Sequence, residues 1–170
     1  MKRRRRLSLK PLATSNTSFL NLMHELGYLR TCKALFERII VPRAVYEEIL
    51  GSQREELIRA VEELTAEGFI EVALVSNRAL VAVLRERLGA GESEVIALAV
   101  ERPDIDFVIL DDLKARKVFR RLGVGKKLIG SIGVLKKLLR EELITISLEE
   151  LASRLREAGF YFEEKLLRAP

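Results

Sequence analysis

A pair of carboxylates follows an apolar stretch in the second half of the chain. Asp111 and Asp112 come directly after Phe107 to Leu110, a run that predicts a short buried strand. Two adjacent acids at the end of a strand cannot both pack against the core. Because Asp is a common helix N-cap, either one could instead cap a helix that begins near Leu113. The pair alone therefore leaves a chemical role and a capping role open.

Two further groups of acids fall in predicted helices. Glu48 flanks the apolar stripe of a helix that follows the predicted strand Arg38 to Val41, whereas Glu47 is expected to point outward. Glu92 shares a helical face with apolar residues three, four and seven positions later, so it is expected to face inward. Glu94 is expected to lie off that face. Acids in a first turn also oppose the helix dipole, which is the alternative explanation.

The first predicted strand, Leu12 to Ser15, ends in the polar sequence Asn16-Thr17-Ser18. An amide thus stands where a carboxylate could be expected, although Asn is also a good helix cap. In a parallel α/β sheet, ligands bind beyond the carboxyl ends of the strands. The polar groups at the ends of three predicted strands and at one helix start are therefore expected to converge.

Clustered carboxylates repel one another and raise one another's pKa unless a cation neutralises them. Oxygen ligands with few other donors favour Mg²⁺ or Mn²⁺, which retain water and engage phosphate oxygens. Phosphodiester cleavage by a metal-activated water is the reaction class that such a cluster predicts.

A basic stretch begins two residues after Asp112. Seven basic residues and no acid lie between Lys114 and Lys127. The predicted buried stripe of this helix is Ala115, Val118, Phe119 and Leu122. The residues that this leaves exposed are Lys114, Arg116, Lys117, Arg120 and Arg121. They could hold nucleic-acid phosphates near the acids, although an ordinary solvated helix face explains them equally well.

Strand-like and helical segments alternate along the chain, which predicts one α/β domain. The predicted strands are Leu12 to Ser15, Arg38 to Val41, Ile70 to Val75, Phe107 to Leu110 and Lys127 to Ile129. The predicted helices are Ser18 to Leu26, Leu29 to Phe36, Arg43 to Leu50, Glu55 to Glu67, Arg78 to Leu88, Glu92 to Glu101, Leu113 to Leu122, Gly133 to Arg140 and Leu148 to Ala158. Short, continuous apolar strands favour a parallel sheet covered on both faces. We expect a three-layer α/β/α sandwich with a central, mainly parallel sheet of four to five strands.

Length and charge fit this organisation. The 170 residues predict a flexible basic arm over residues 1–10 and a single domain over residues 11–170. The net charge of +5 equals the five positive charges at residues 2–6. That arm could bind phosphates in a salt-dependent way or be a solvated terminus. The lone Cys32 and the lack of a long apolar run predict a cytoplasmic protein without a membrane span.

Two other motifs are rejected. Gly123-Val124-Gly125-Lys126-Lys127 lacks the first glycine and the Ser or Thr of a phosphate-binding loop. His24 is the only histidine, and no Ser or Cys is evidently paired with it. A nucleoside triphosphatase and a histidine-dependent triad are therefore not expected.

The chain resembles PIN-domain proteins, in particular a subgroup of archaeal and bacterial members with two motifs. These motifs appear here as Val41-Pro42-Arg43-Ala44-Val45-Tyr46-Glu47-Glu48 and as Gly89-Ala90-Gly91-Glu92-Ser93-Glu94-Val95-Ile96-Ala97-Leu98-Ala99. Asp111-Asp112 and the following Ala115-Arg116 match as well, and the resemblance spans roughly residues 12–162. It implies a parallel sheet whose carboxyl edge holds one or two Mg²⁺ or Mn²⁺ ions for endonucleolytic cleavage of RNA.

The resemblance also assigns roles to individual residues. The metal ligands that it implies are Asp112, Asp111, Glu48, Glu92 and, with less support, Glu94. The implied catalytic residues are Asp112, Asp111, Glu48, Glu92 and Asn16, and the implied RNA contacts are Lys114, Arg116, Lys117, Thr17 and Ser18. The first position is usually Asp in the family, and here it is Asn16. An amide brings no negative charge and cannot act as a base, so metal affinity should drop.

Three hypotheses follow. The first is a metal-dependent endoribonuclease, as in the toxins of toxin–antitoxin pairs, for which the resemblance implies a homodimer and a small antitoxin-like partner. The second is a catalytically degenerate protein that binds RNA or a partner. The third is a DNA-directed nuclease of flap or repair type. Activity restored by Asn16→Asp would distinguish the second from the first, and competition between strand types would identify the third.

Overall fold

A computed structural model describes residues 10–170 of the chain. Five parallel strands form one sheet in the order β3-β2-β1-β4-β5. The strands are β1 (Leu12–Ser15), β2 (Arg38–Pro42), β3 (Ile70–Ala73), β4 (Phe107–Ile109) and β5 (Lys127–Ile129). The predicted α/β fold with a parallel central sheet is confirmed.

Nine α-helices connect or flank the strands of the described chain. They are α1 (Thr17–Glu25), α2 (Arg43–Leu50), α3 (Glu55–Ala66), α4 (Arg78–Arg85), α5 (Ala90–Glu101), α6 (Leu113–Leu122), α7 (Ser131–Arg140), α8 (Leu148–Glu157) and α9 (Glu164–Arg168). A 3₁₀ segment, Arg30–Ala34, replaces the α-helix predicted from Leu29 to Phe36. The short helix α9 was not predicted.

Strand β1 lies in the centre of the sheet, and all four of its residues are buried. It pairs with β2 on one side and with β4 on the other, and Ser15 is in register with Ile109. The strand order therefore reverses between β1 and β4. In doubly wound sheets, ligands bind at such a reversal, beyond the carboxyl ends of the strands.

Helix α5 is the most deeply packed helix of the described chain. Eight of its residues are buried, among them the continuous run from Ser93 to Ala99. It contacts strands β1, β2 and β4 and also helices α2, α4 and α6. Because neighbours surround it, α5 is apolar on most of its circumference rather than along one stripe. It links the sheet to the helices that carry the predicted site residues.

The aromatic segment from Phe160 to Phe162 packs on the core only in part, since Tyr161 is 91% exposed while its two neighbours pack inward. Alternating exposure is typical of an extended segment, in which successive side chains point in opposite directions. The predicted basic arm lies outside the described residues except for Lys10, whose Nζ donates a hydrogen bond to the Lys33 carbonyl.

In the part of the chain that the structure describes, we find no helix with the length and apolar character needed to cross a bilayer.

The thiol of Cys32 provides a test of this packing. The side chain is fully buried, and burial raises the pKa of its thiol to about 12. Because only the thiolate reacts, we expect no modification by an aromatic disulfide reagent at mildly alkaline pH while the chain is folded. In urea the pKa should return to about 8.5, and the thiol should then react rapidly. Fast labelling of the native protein would contradict the burial of the 3₁₀ segment.

Candidate active site at the carboxyl edge of the sheet

Asn16 lies at the end of β1 and caps α1. Its Oδ1 accepts hydrogen bonds from the Phe19 amide at 3.3 Å and from the Ser18 hydroxyl at 3.1 Å. The side chain is only 5% exposed. The capping role that the sequence left open is therefore present, and the amide oxygen that could bind a cation is already bonded twice.

The hydroxyl of Thr17, one residue later, is in a different state. Its Oγ1 is buried and has no hydrogen-bond partner among residues 10–170. Thr17 and Ser18 line a cavity of about 330 Å³ together with Glu48 from α2. The other lining residues are Asn21, Ser52, Arg54 and Leu57. The structure thus brings the polar end of β1 and the acid of the second motif to one cavity.

Glu48 is exposed and has no ion-pair or hydrogen-bond partner in the described part of the chain. Its carboxylate lies against α5, where a Cβ placed on Gly91 would be 3.3 Å from Oε2 of Glu48. A glycine at this position leaves room for the carboxylate. An exposed acid with no bound partner is available for an external ligand.

The two glutamates of α5 differ from the sequence prediction. Glu94, expected to lie off the inward face, is 7% exposed, whereas Glu92, expected to face inward, is partly exposed. Glu94 accepts a hydrogen bond from the Ala44 amide at 3.1 Å and one from Arg78 at 2.6 Å. Glu92 folds back toward Gly89, where a Cβ would lie 2.5 Å from its Oε2. The prediction was wrong because a helix that is buried almost all round has no single inward face.

The two adjacent acids after β4 each accept hydrogen bonds from the first turn of a helix. Asp112 Oδ1 accepts a hydrogen bond from the Ala115 amide at 2.7 Å, so Asp112 caps α6. Asp111 accepts two hydrogen bonds from Ser131, one from its amide at 2.7 Å and one from its hydroxyl at 2.5 Å. Asp111 therefore ties the end of β4 to the first residue of α7. Asp112 is exposed and keeps Oδ2 free of any hydrogen bond within residues 10–170.

Arg116 was expected to be exposed, but it is half-buried and holds the same corner together. Its Nη1 donates a 2.7 Å hydrogen bond to the Leu110 carbonyl. Burial is the main cause that lowers the pKa of Arg116, the charge of Arg120 adds to this, and Asp111 opposes it. Leu122, predicted to be buried, is 42% exposed. Arg116 is thus a structural residue in this arrangement and not a free cation.

Lys114 and Lys117 are exposed on α6 and have no ion-pair partner in the described part of the chain. They belong to a longer basic segment, because ten basic residues and no acid lie between Leu113 and Arg140. Some of these cations are used locally. Lys126 donates to the carbonyls of Arg102 and Ile105, and Lys127 lies over the ring of Phe107. Positive charge at the carboxyl edge is therefore provided by Lys114 and Lys117, in the first half of α6.

The donors at this edge fit a divalent cation only in part. Among residues 10–170, no three His, Cys, Asp or Glu side chains are close enough together to hold a metal ion. Asp111 and Glu94 are bonded elsewhere, whereas Glu48 is unpaired and lines the cavity. Mg²⁺ is often bound by one or two carboxylates together with the phosphates of its substrate. The donor set suits a cation that binds weakly until a phosphate is present.

The link between Asp111 and Ser131 can be tested by unfolding. We expect Asp111→Ala to lower the free energy of unfolding by about 1–3 kcal/mol, because it leaves the buried Ser131 donors unpaired. Asp112→Ala should cost about 1 kcal/mol, the usual value for a lost helix cap. Urea titrations of Asp111→Ala, Ser131→Ala and the double variant measure the coupling. Fully additive effects would show that the two side chains do not interact.

A PIN-domain family model matches residues 12–169, nearly the whole described chain. No curated protein matches this sequence. The matched range contains all five strands and every site residue described above. PIN domains have a nuclease-type fold and generally use divalent metal ions. The chain therefore belongs to the PIN-domain family.

Proposed function

We propose that the protein is a metal-dependent endoribonuclease that hydrolyses phosphodiester bonds of RNA. Membership of a family with a nuclease-type fold supports the reaction class. The observation that carries the proposal is the unpaired Glu48 carboxylate, which lines a cavity beyond β1 together with Thr17 and Ser18. An exposed carboxylate without a partner, close to the carboxyl edge of the sheet, is free to bind a cation.

Mg²⁺ or Mn²⁺ is the cofactor in this proposal. Glu48 would be its main protein ligand, and Asp112 the second, through the oxygen that does not cap α6. The partly exposed Glu92 remains a third candidate, while Asp111 and Glu94 would have to leave other partners first. When bound, the ion supplies an activated water and neutralises charge on the phosphate. Thr17 and Ser18 line the cavity and would contact the substrate there.

RNA phosphates would bind the exposed lysines in the first half of α6. Lys114 and Lys117 lie in the first half of α6, directly after Asp112, so they can contact the strand next to the reacting phosphate. Arg116 serves instead to hold the Leu110 carbonyl. The exposed Arg120 and Arg121 extend the basic surface along the same helix.

Cleavage of labelled single-stranded RNA in Mn²⁺ tests the catalytic part of the proposal. We expect Glu48→Gln and Asp112→Asn to lower the rate at least about 100-fold, because each removes a charge near the phosphate and keeps the side-chain shape. Glu47→Gln is the matched control, since Glu47 is the next residue of α2 and is paired with Arg43. EDTA should abolish cleavage. Equal rates for Glu48→Gln and Glu47→Gln would refute the assigned site.

A second candidate function is RNA or partner binding without catalysis. Two observations favour it: no group of three His, Cys, Asp or Glu side chains in the described chain could hold a metal ion, and Asn16 is uncharged and occupied as a cap. Asn16→Asp distinguishes the two functions. Because Asp caps helices as well as Asn, the fold should persist while negative charge is added. If the wild type cleaves RNA and Asn16→Asp lowers the Mn²⁺ concentration needed, the result supports the nuclease. If only Asn16→Asp cleaves RNA, the result supports the binding protein.

The salt dependence of RNA binding tests the basic surface. Removing Lys114 and Lys117 together should reduce the slope of log affinity against log salt concentration by about 1.4, since each single-strand phosphate contact contributes about 0.7. The control is Arg85→Gln with Arg87→Gln, which removes the same charge from exposed cations near the end of α4. A filter-binding titration across salt concentrations measures both slopes. Equal slopes would place the RNA elsewhere.

The remaining parts of the proposal follow from family likeness. We propose a cytoplasmic protein that acts as a homodimer and is held inactive by a small antitoxin-like partner. The arm of residues 1–10, with six basic residues, and the domain of residues 11–170 are proposed as its two parts.

A further inference from the structure

Helix α2 carries Glu48, yet it begins without a cap of its own. Its N-cap residue is Pro42, whose side chain makes no capping hydrogen bond, and no acid lies in the first turn. The first residue of the helix is Arg43, a cation at the end of the helix where the dipole favours anions. The first amides of any helix lack partners within it, so α2 needs an acceptor from elsewhere.

Glu94 of α5 supplies that acceptor. Its Oε2 accepts the 3.1 Å hydrogen bond from the Ala44 amide, the second amide of α2. Its Oε1 accepts the 2.6 Å hydrogen bond from Arg78, which lies at the start of α4. Both oxygens are therefore used, and the Glu94 side chain is only 9% exposed while that of Arg78 is 61% exposed. The arginine covers the carboxylate from the solvent side.

A second contact lies one turn away along the same pair of helices. Glu48 is four residues after Ala44, and Gly91 is three residues before Glu94, so each pair shares a helical face. The Glu48 carboxylate is next to Gly91, just as the Ala44 amide is next to Glu94. Residues of α2 and α5 therefore lie next to each other at two successive turns. Any shift of α2 against α5 would move Glu48.

We propose that Glu94 is a positioning residue, which caps α2 in trans and thereby fixes Glu48, and that it is not a metal ligand. The catalytic consequence rests on the proposed nuclease function, whereas the capping role does not. Arg78 assists by holding the carboxylate in the orientation that meets the Ala44 amide. A Gln at position 94 retains an oxygen for that amide but loses the charge that a metal ligand would need.

The capping role is measured by amide hydrogen exchange, without any activity. We expect exchange at the Ala44 amide to become about tenfold faster in Glu94→Ala, because a hydrogen bond to a charged acceptor is lost. In Glu94→Gln it should stay within about threefold of the wild type. Glu101→Ala is the matched control, since Glu101 is also on α5 and accepts backbone hydrogen bonds, but from Ser76 and Asn77. Unchanged exchange at Ala44 in Glu94→Ala would overturn the proposal.

The Mn²⁺ dependence of RNA cleavage separates a positioning residue from a ligand. If Glu94 positions Glu48, Glu94→Gln should need the same Mn²⁺ concentration as the wild type, and Arg78→Met should lower the maximal rate more than the apparent Mn²⁺ affinity. A ligand would instead show a Mn²⁺ demand raised tenfold or more in Glu94→Gln, which would overturn the proposal. Glu94→Gln is nearly isosteric, so this comparison survives even if Glu94→Ala does not fold. If the wild type cleaves no RNA, the proposed function fails, and exchange at Ala44 still decides the capping role.

Discussion

The need to satisfy backbone amides at helix starts governs this site. In a parallel α/β sheet, strands end at the same edge at which the following helices begin, and each helix begins with amides that have no partner within it. Asn16 meets this need for α1, Glu94 for α2, Asp112 for α6 and Asp111 for α7. Four of the polar residues at this edge are thus helix caps. A polar residue at this edge can bind a ligand only if another acceptor caps the helix, or if the residue itself does not lie at a helix start.

Glu48 meets the second condition. It lies in the middle of α2, where the amides are bonded within the helix, and the cap of that helix is provided by Glu94. This separation of tasks explains why Glu48 can remain without a partner while its neighbours at the edge do not. Asn16 shows the opposite case. Asn and Asp are equally good caps, so an amide at this position preserves the fold while it removes one negative charge from the edge.

The sequence was sufficient for the sheet and for most helices. Short, mostly apolar runs separated by helical stretches favour the buried strands of a parallel sheet, and two of the five strands have the predicted bounds. The errors concern the direction of side chains. A period of 100° per residue cannot orient Glu92 and Glu94 on a helix that is buried almost all round, because no polar face defines the outward direction.

Contacts between distant residues could not be predicted at all. Asp111 and Ser131 are 20 positions apart, and Ala44 and Glu94 are 50 positions apart. The local sequence around each acid fits a helix cap and a metal ligand equally well. It therefore cannot distinguish the two roles. Arg116 was misplaced for a similar reason, since a half-buried arginine bonded to the Leu110 carbonyl has the same helical spacing as a solvated one. Arg116, which was predicted to lie on the exposed face of α6, therefore has a structural role.

Charge is unevenly distributed along the sequence. The segment from Leu113 to Arg140 has ten basic residues and no acid, while outside it and outside residues 2–6 acids outnumber bases by 25 to 15. Lys114 and Lys117 of that segment lie in the first half of α6, directly after Asp112, whereas Lys127 lies at the amino end of β5. Positive charge therefore lies close to the Asp112 carboxylate at the start of α6. This arrangement favours an anionic ligand that brings a cation with it over a neutral ligand, because only the former gains from both the lysines and the carboxylate.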